Sequence, residues 1–426
     1  MKKQTDKCCK KIGIGIIGAG RRGIRCLGSR IAEQTQQTGF SITAVCDRNP
    51  ARMQEAAQIL EKKFAEHGTE TTITCYPDYQ SLIDDPAVEL IMITTPSYAH
   101  RDPVIAALRS GKKVYLDKPI AQNMDDSIAI MKEEQRTGNR LIMGFTRRYE
   151  NPWRKAFALL QEGIIGDLCM VQIRAVIPYD VYAHTWHRRR EWSGSPLNDK
   201  SSHHFDVFNW FAGSRAERIS AFGGQRVYTP EDDAPAFCAV CSRECPYRVD
   251  ASPLSEMGMQ DVLRSEGDSW ECETEEMYRA DNCVYRPGSD LEDHATIHIA
   301  YENGITASLF WCIFGPRSED QETLELVGTK GRIILTRHTA ELDIVTDYGK
   351  RHEVIDCKDD EFPTSHFGAD LKLIRDMRAF FDGTEPAVSA KDGFESTRMV
   401  MAALQSIDAG GELVRMQDFP GGGLTI

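Results

Sequence analysis

Ile12-Gly13-Ile14-Gly15-Ile16-Ile17-Gly18-Ala19-Gly20-Arg21-Arg22-Gly23 is the stretch that decides the fold. Ile12–Ile17 reads as a buried strand, and Gly18, Gly20 and Gly23 form a G-x-G-x-x-G turn that opens a helix near Arg22. Glycines there let the backbone turn tightly and approach a pyrophosphate, whose charge is met by free N–H groups at the helix start. Outward from this turn, Phe40–Cys46 is a second strand, and Asp47 stands at its end. A carboxylate at that place accepts hydrogen bonds from the adenosine ribose and repels a 2′-phosphate, which favours NAD over NADP. Arg48 is set either to stack on adenine or to soften that preference. Arg21 and Arg22 join the expected cofactor contacts.

The same alternation continues through the first third of the chain. Leu90–Thr94, Lys113–Leu116 and Leu141–Phe145 read as strands, with helices over Ala51–His67, Arg101–Ser110 and Asp125–Arg136. Such alternation predicts a parallel sheet covered on both faces. Thr95, Pro96 and His100 follow the third strand, and Asp117-Lys118-Pro119 follows the next. Loops at the carboxyl ends of strands face the ligand crevice in this architecture. Lys118 is therefore expected to donate to a substrate oxygen and stabilise alkoxide charge.

After Asn151 the pattern changes to a helix over Pro152–Gln161, a strand over Leu168–Ile177 and a polar, aromatic loop, Pro178–Pro196. A helix over Ser202–Ala212 precedes strands at His294–Tyr301, Thr306–Ile313, Thr323–Val327, Gly331–Thr336 and Glu341–Thr346. The expected fold class is α/β: a Rossmann dinucleotide-binding domain over residues 1–146, then an α+β domain over 147–426 with a large, mostly antiparallel open sheet. An insertion spans 229–290, and C-terminal helices fall within 366–410. Asp199 and His203, at i and i+4, share one helical face, so the carboxylate is expected to orient the imidazole as a base.

Composition excludes several classes. The 426 residues carry 51 basic and 64 acidic side chains, a net charge of −13, which makes nucleic acid a poor partner. No run approaches the ~18 apolar residues of a membrane span. The basic N-terminus leads straight into the glycine-broken strand, so no signal peptide is read and a cytoplasmic address is expected. Thirteen cysteines, an odd number, argue against a disulfide framework. Five of them lie between Cys238 and Cys283. Cys238, Cys241, Cys245 and Cys283 are the expected ligands of a structural zinc, with Cys272 spare; an iron–sulfur cluster and free thiols are the alternatives.

GAGRRG, AVCDRNP, TTPSYAH, DKP, GFTRRY and DKSSHHFDVFNWFAG, with LVGTKGRI and EPAVSAKDGFESTRMVMAALQS nearer the C-terminus, stand in the order and spacing of one family. The chain resembles the glucose–fructose oxidoreductase / inositol dehydrogenase / MocA family over nearly its whole length. The resemblance implies NAD(P)-linked oxidation or reduction of a sugar or polyol hydroxyl, and catalysis by Lys118, Asp199 and His203. It also implies a cis bond before Pro119 and a homo-oligomer, dimer or tetramer, formed through the open sheet. Three departures stand out: Asp117 replaces the usual glutamate, Ser201 replaces glycine, and Lys200 lies inside the catalytic segment. On the substrate side Arg147, Tyr179, Trp186 and Lys200 are expected beside Lys118, Asp199 and His203. Two other readings share the same residues: an NAD-dependent glycosidase working by transient oxidation and elimination, and a catalytically silent sugar or cofactor sensor.

Overall fold

A computed structural model of the chain describes residues 10–138, 140–249 and 275–422. Six parallel strands, β1 Ile12–Ile17, β2 Phe40–Cys46, β3 Thr74–Tyr76, β4 Leu90–Ile93, β5 Lys113–Leu116 and β6 Leu141–Met143, form the first sheet in the order 3-2-1-4-5-6. The order reverses between β1 and β4, and this switch point opens a crevice at the carboxyl ends of the strands. β1 and β4 are almost wholly buried because helices cover both faces. Their ends are sharply set. Asn49 caps the helix Pro50–Glu66 by accepting from the backbone N–H of Ala51 and Arg52, with Pro50 in the first turn.

The second sheet has nine strands: β7 Leu168–Val176, β8 Ala216–Gly224, β9 His294–Tyr301, β10 Thr306–Cys312, β11 Glu322–Gly328, β12 Gly331–Thr336, β13 Glu341–Thr346, β14 Arg351–Asp356 and β15 Val414–Arg415. Their order is 14-13-12-11-7-10-9-8-15, antiparallel except where β7 meets β10. One face packs on the helices Pro196–Ala212 and Ala390–Asp408; the other leaves Met170, Phe222 and Phe310 at least half exposed. The core under the first sheet is completed from far along the chain. Leu373, Ile374, Met377 and Phe380 of helix Ala369–Phe381 join it, and the Met143 N–H donates to the Val388 carbonyl. The two sheets are thus locked by exchange of helices, not only by a linker.

Among the described residues no helix is long and apolar enough to cross a membrane.

Candidate active site and cofactor cleft

The glycine turn is built as a cradle. Gly18 has φ +96°, and a Cβ there would meet the Thr95 N at 2.7 Å; one on Gly23 would meet the Thr94 Oγ1 at 2.4 Å. A Cβ on Gly20 would meet nothing within 4 Å. Two glycines therefore allow close packing, and the third leaves the open side where a pyrophosphate fits. Asp47 closes the turn: its Oδ2 accepts from the Ala19 N–H at 2.8 Å and its Oδ1 from the Asn49 N–H at 2.9 Å. Each oxygen keeps a lone pair for a ribose hydroxyl. Thr94 Oγ1 donates to the Gly18 carbonyl at 2.8 Å and fixes the turn from the other side.

Several side chains expected at the cofactor also make contacts within the protein. Arg22 turns into the domain junction, donating to Asp370 at 2.7 Å, Asp117 at 3.3 Å and Tyr115 at 3.2 Å. Burial works against its charge, but Asp370, Tyr115 and Asp117 more than offset it. Asp117, one methylene shorter than glutamate, also accepts from Tyr115 at 2.9 Å and is drawn into this cluster. His100 is buried, with its ring nitrogens on the Thr95 carbonyl at 2.9 Å and the Pro119 carbonyl at 3.0 Å, and so braces one crevice loop against another. Arg21 borders the cradle beside Gly20, and Arg48 lies over the ring of Tyr278.

Lys118 stands at the carboxyl end of β5, and its bond to Pro119 is cis. Its ammonium donates to both the carbonyl and the Oδ2 of Asp199, at 2.7 and 2.8 Å. The Tyr182 hydroxyl donates to the same Oδ2 at 2.8 Å, and His187 Nε2 lies 3.6 Å from it. Burial opposes ionisation of Asp199, yet the Lys118 charge and then His187 hold its carboxyl far below the usual range. The pairing expected from the i, i+4 spacing is thus replaced: Asp199 grips Lys118, and His203 packs edge-on to Phe145 at 5.5 Å. Burial, and then the charges of Arg147, Lys118 and Lys200, push the His203 pKa well below its ordinary value, so the ring is neutral. His203 Nδ1, Asn198 Oδ1, Ser201 Oγ, Thr146 Oγ1 and Gln122 Oε1 are buried without hydrogen-bond partners. Of these, the His203 nitrogen shares a helical face with Asp199, the residue that holds Lys118.

Below this floor lies a buried quartet of charges. Arg147 donates to Glu322 through Nε at 2.9 Å and Nη2 at 3.0 Å; Arg337 forks to Glu150 at 2.8 and 2.7 Å. His204 Nε2 adds a 3.3 Å contact to Glu322. Arg147, expected on the substrate side, is 1% exposed and committed to this network. Lys200 is likewise buried, its ammonium 4.3 Å from the Tyr179 ring centroid, and it lowers the pKa of that phenol.

Tyr182 and His187 belong to the aromatic loop Pro178–Pro196, part of which is expected over the substrate pocket, but the sequence did not point to their contact with Asp199. The signal available was only their position just ahead of Asp199. That loop is pinned to the insertion: Glu276 accepts from Arg188, from Arg189 Nε at 2.9 Å and lies 3.3 Å from Arg286. His184 and Asn282 pair through side chain and backbone. Among the described residues no group of three or more His, Cys, Asp or Glu side chains is placed to hold an ion. Cys238 and Cys283 are buried, Cys241 and Cys245 half-buried, and Cys272 lies outside the described residues. Burial raises the Cys238 thiol to about 11 and the Cys283 thiol above its ordinary value. The segments around them are held by backbone, with Cys238 N–H on the Asp281 carbonyl and Cys283 N–H on the Ala236 carbonyl. The four-thiol centre expected from spacing is thus unsupported.

Residues 12–145 match an oxidoreductase family's NAD-binding Rossmann fold, and residues 158–415 match the same family's C-terminal α/β domain. The chain belongs to the glucose–fructose oxidoreductase / inositol dehydrogenase / MocA family. Family members similar to it include a putative oxidoreductase, YteT, of Bacillus subtilis, 26% identical over 70% of each chain. The inositol 2-dehydrogenase/D-chiro-inositol 3-dehydrogenase of Lactiplantibacillus plantarum is 28% identical over 50% of this chain and 56% of its own. In fold it is similar to levoglucosan dehydrogenase solved with NADH and levoglucosan (TM-score 0.70, 18% identity, 96% of this chain and 100% of that one). An Agrobacterium radiobacter oxidoreductase solved with NAD+, L-tartaric acid and magnesium is comparable (TM-score 0.69, 18% identity, 96% and 99%).

Proposed function

We propose that this family member is a dehydrogenase that transfers hydride between a ring hydroxyl of a sugar, polyol or glycoside and NAD. The observation that carries the reading is the Lys118 ammonium, gripped by Asp199 at 2.7 and 2.8 Å beside the unpartnered Nδ1 of neutral His203. NAD, when bound, supplies the hydride acceptor. Lys118 donates a hydrogen bond to the reacting oxygen and stabilises its negative charge as the proton leaves. His203, being neutral, takes that proton. Asp199 acts as a positioning residue for Lys118, with Tyr182 and His187 holding its carboxylate in turn. The Asp47 carboxylate at the adenosine end supports NAD over NADP. Trp186, stacked on His187 at 3.8 Å, is the ring proposed to meet the C–H surface of a sugar. The half-exposed apolar side chains of the open sheet support a homo-oligomer, and the reading includes a cytoplasmic address.

The test is absorbance at the reduced-nicotinamide band with NAD and a panel of free sugars, inositols, sugar acids and aryl glycosides, with product analysis in parallel. Net NADH with a keto-sugar product, abolished in His203→Ala, is the expected outcome. Aglycone release without net NADH would replace the dehydrogenase by the glycosidase. Tight NAD binding with no turnover across the panel would leave a sensor.

A further inference from the structure

The insertion does more than brace the substrate loop, because its last turn reaches the far end of the nucleotide cleft. Tyr278 lies in the turn Glu276–Tyr278, and the guanidinium carbon of Arg48 sits 3.1 Å from the centre of its ring. Arg48 directly follows Asp47 at the end of β2, where a Rossmann fold receives the adenosine ribose. Tyr98, from the turn after β4, completes the group. Its phenol is pushed up to about 12, by burial first and by Tyr278 next, and its ring meets Trp186 edge-on at 5.9 Å. Segments from the two strands flanking β1 and from the insertion thus converge beside Asp47. The turn itself is anchored firmly. Glu276 gathers Arg188, Arg189 and Arg286, its backbone carbonyl accepts from Asn282 Nδ2 at 3.0 Å, and Arg188 is fully buried.

We propose that the turn Glu276–Tyr278 is a latch on the adenosine half of the bound dinucleotide, with Tyr278 and Arg48 together covering the adenine ring. The inference rests on the NAD-binding reading of the cleft. A planar guanidinium backed by a phenol presents a cationic face to a purine, and stacking of this kind tolerates no gap. The latch is delivered by the C-terminal part of the chain, so retention of the dinucleotide depends on how firmly this turn holds Arg48. Arg188 and Arg189 belong to the substrate loop, so the Glu276 hub joins cofactor retention to the segment that supplies Tyr182 and His187.

The test measures dissociation of NADH, by its fluorescence after a chase with excess NAD, and the affinity for ADP-ribose by calorimetry. Wild type, Tyr278→Ala, Tyr278→Phe, Arg48→Met and the Tyr278→Ala/Arg48→Met double variant are compared. Tyr278→Ala is expected to speed NADH release roughly tenfold and to weaken ADP-ribose by a similar factor. Tyr278→Phe retains the ring and is expected to stay within twofold of wild type. The double variant is expected to lose little beyond either single one, as for two members of one stack. Unchanged release in Tyr278→Ala would overturn the latch, and so would slower release or tighter ADP-ribose binding, which would make the turn a plug. Strictly additive losses would also overturn it. A wild-type chain that binds no NADH would overturn the cofactor reading itself, and the latch with it.

Discussion

Glu322→Gln is the perturbation that reads most directly on the floor of the site. Glu322 and Glu150 balance Arg147 and Arg337, with all four side chains no more than 7% exposed. The substitution is nearly isosteric, yet it leaves two buried guanidiniums facing one carboxylate, and it turns an amide N–H toward Arg147. Removing one partner of a buried, hydrogen-bonded ion pair costs about 3–5 kcal/mol, because the other charge stays desolvated. For a domain of this size that corresponds to a fall in Tm of roughly 6–20 °C. Calorimetric unfolding at pH 7 gives the number. The pH dependence gives an independent check. Burial alone would raise the Glu322 pKa, but Arg147 and then Arg337 hold it well below the ordinary value. A depressed carboxylate contributes fully above its unfolded pKa, about 4.3, and loses that contribution as pH falls through the folded value. Wild type is therefore expected to lose stability below about pH 4.3 more steeply than Glu322→Gln does. A loss under about 1 kcal/mol at pH 7, or parallel acid limbs, would refute the network as the support of this floor.

Further expectations follow from the same geometry. Lys118→Met is expected to lower turnover at least about 100-fold while leaving NADH affinity within a few-fold, as steady-state kinetics beside fluorescence titration would show. Burial and neighbouring cations lower the His203 pKa, so the base stays unprotonated through pH 6.5. The acid limb of kcat/KM for oxidation by the wild-type chain is then expected below pH 6.5. Gly18→Ala forces a side chain to φ +96° against Thr95 and is expected to destabilise the chain by more than about 1 kcal/mol. Gly20→Ala, with nothing near its Cβ, is expected to leave the Tm unchanged and to weaken NADH binding instead, since the methyl group enters the pyrophosphate space.

The nucleotide domain was legible because its signals are local. Strands such as Ile12–Ile17 and Lys113–Leu116 are short apolar runs punctuated by glycine and charge, and they appear with those bounds. Elements with weaker local signals were missed. Thr74–Tyr76 is a three-residue edge strand, and Arg351–Asp356 is polar and exposed along most of its length. The helix expected from Ser202 begins at Pro196, because Ser195, at φ +98°, caps it by accepting from the Leu197 N–H. At the site, the family resemblance pointed to Lys118, Asp199 and His203, and the i, i+4 spacing suggested an Asp199–His203 pair, whereas the structure sets Asp199 on Lys118. An i, i+4 relation fixes a shared face only; the ammonium arriving from β5, 81 residues earlier, decides where the carboxylate turns. Arg22, Arg147 and His100 have partners that lie far away in sequence, and no local pattern announces them.

Asp47 bears on any attempt to re-engineer coenzyme preference. The customary exchange removes the acid to admit a 2′-phosphate. Here the same carboxylate ties the Ala19 and Asn49 amides at 2.8 and 2.9 Å, so the residue proposed to select the coenzyme is also a tie-beam of the glycine turn. A redesign that deletes it would loosen the cradle for either coenzyme, and a workable one must leave a short acceptor at position 47 and gain its phosphate contact from the neighbouring loop.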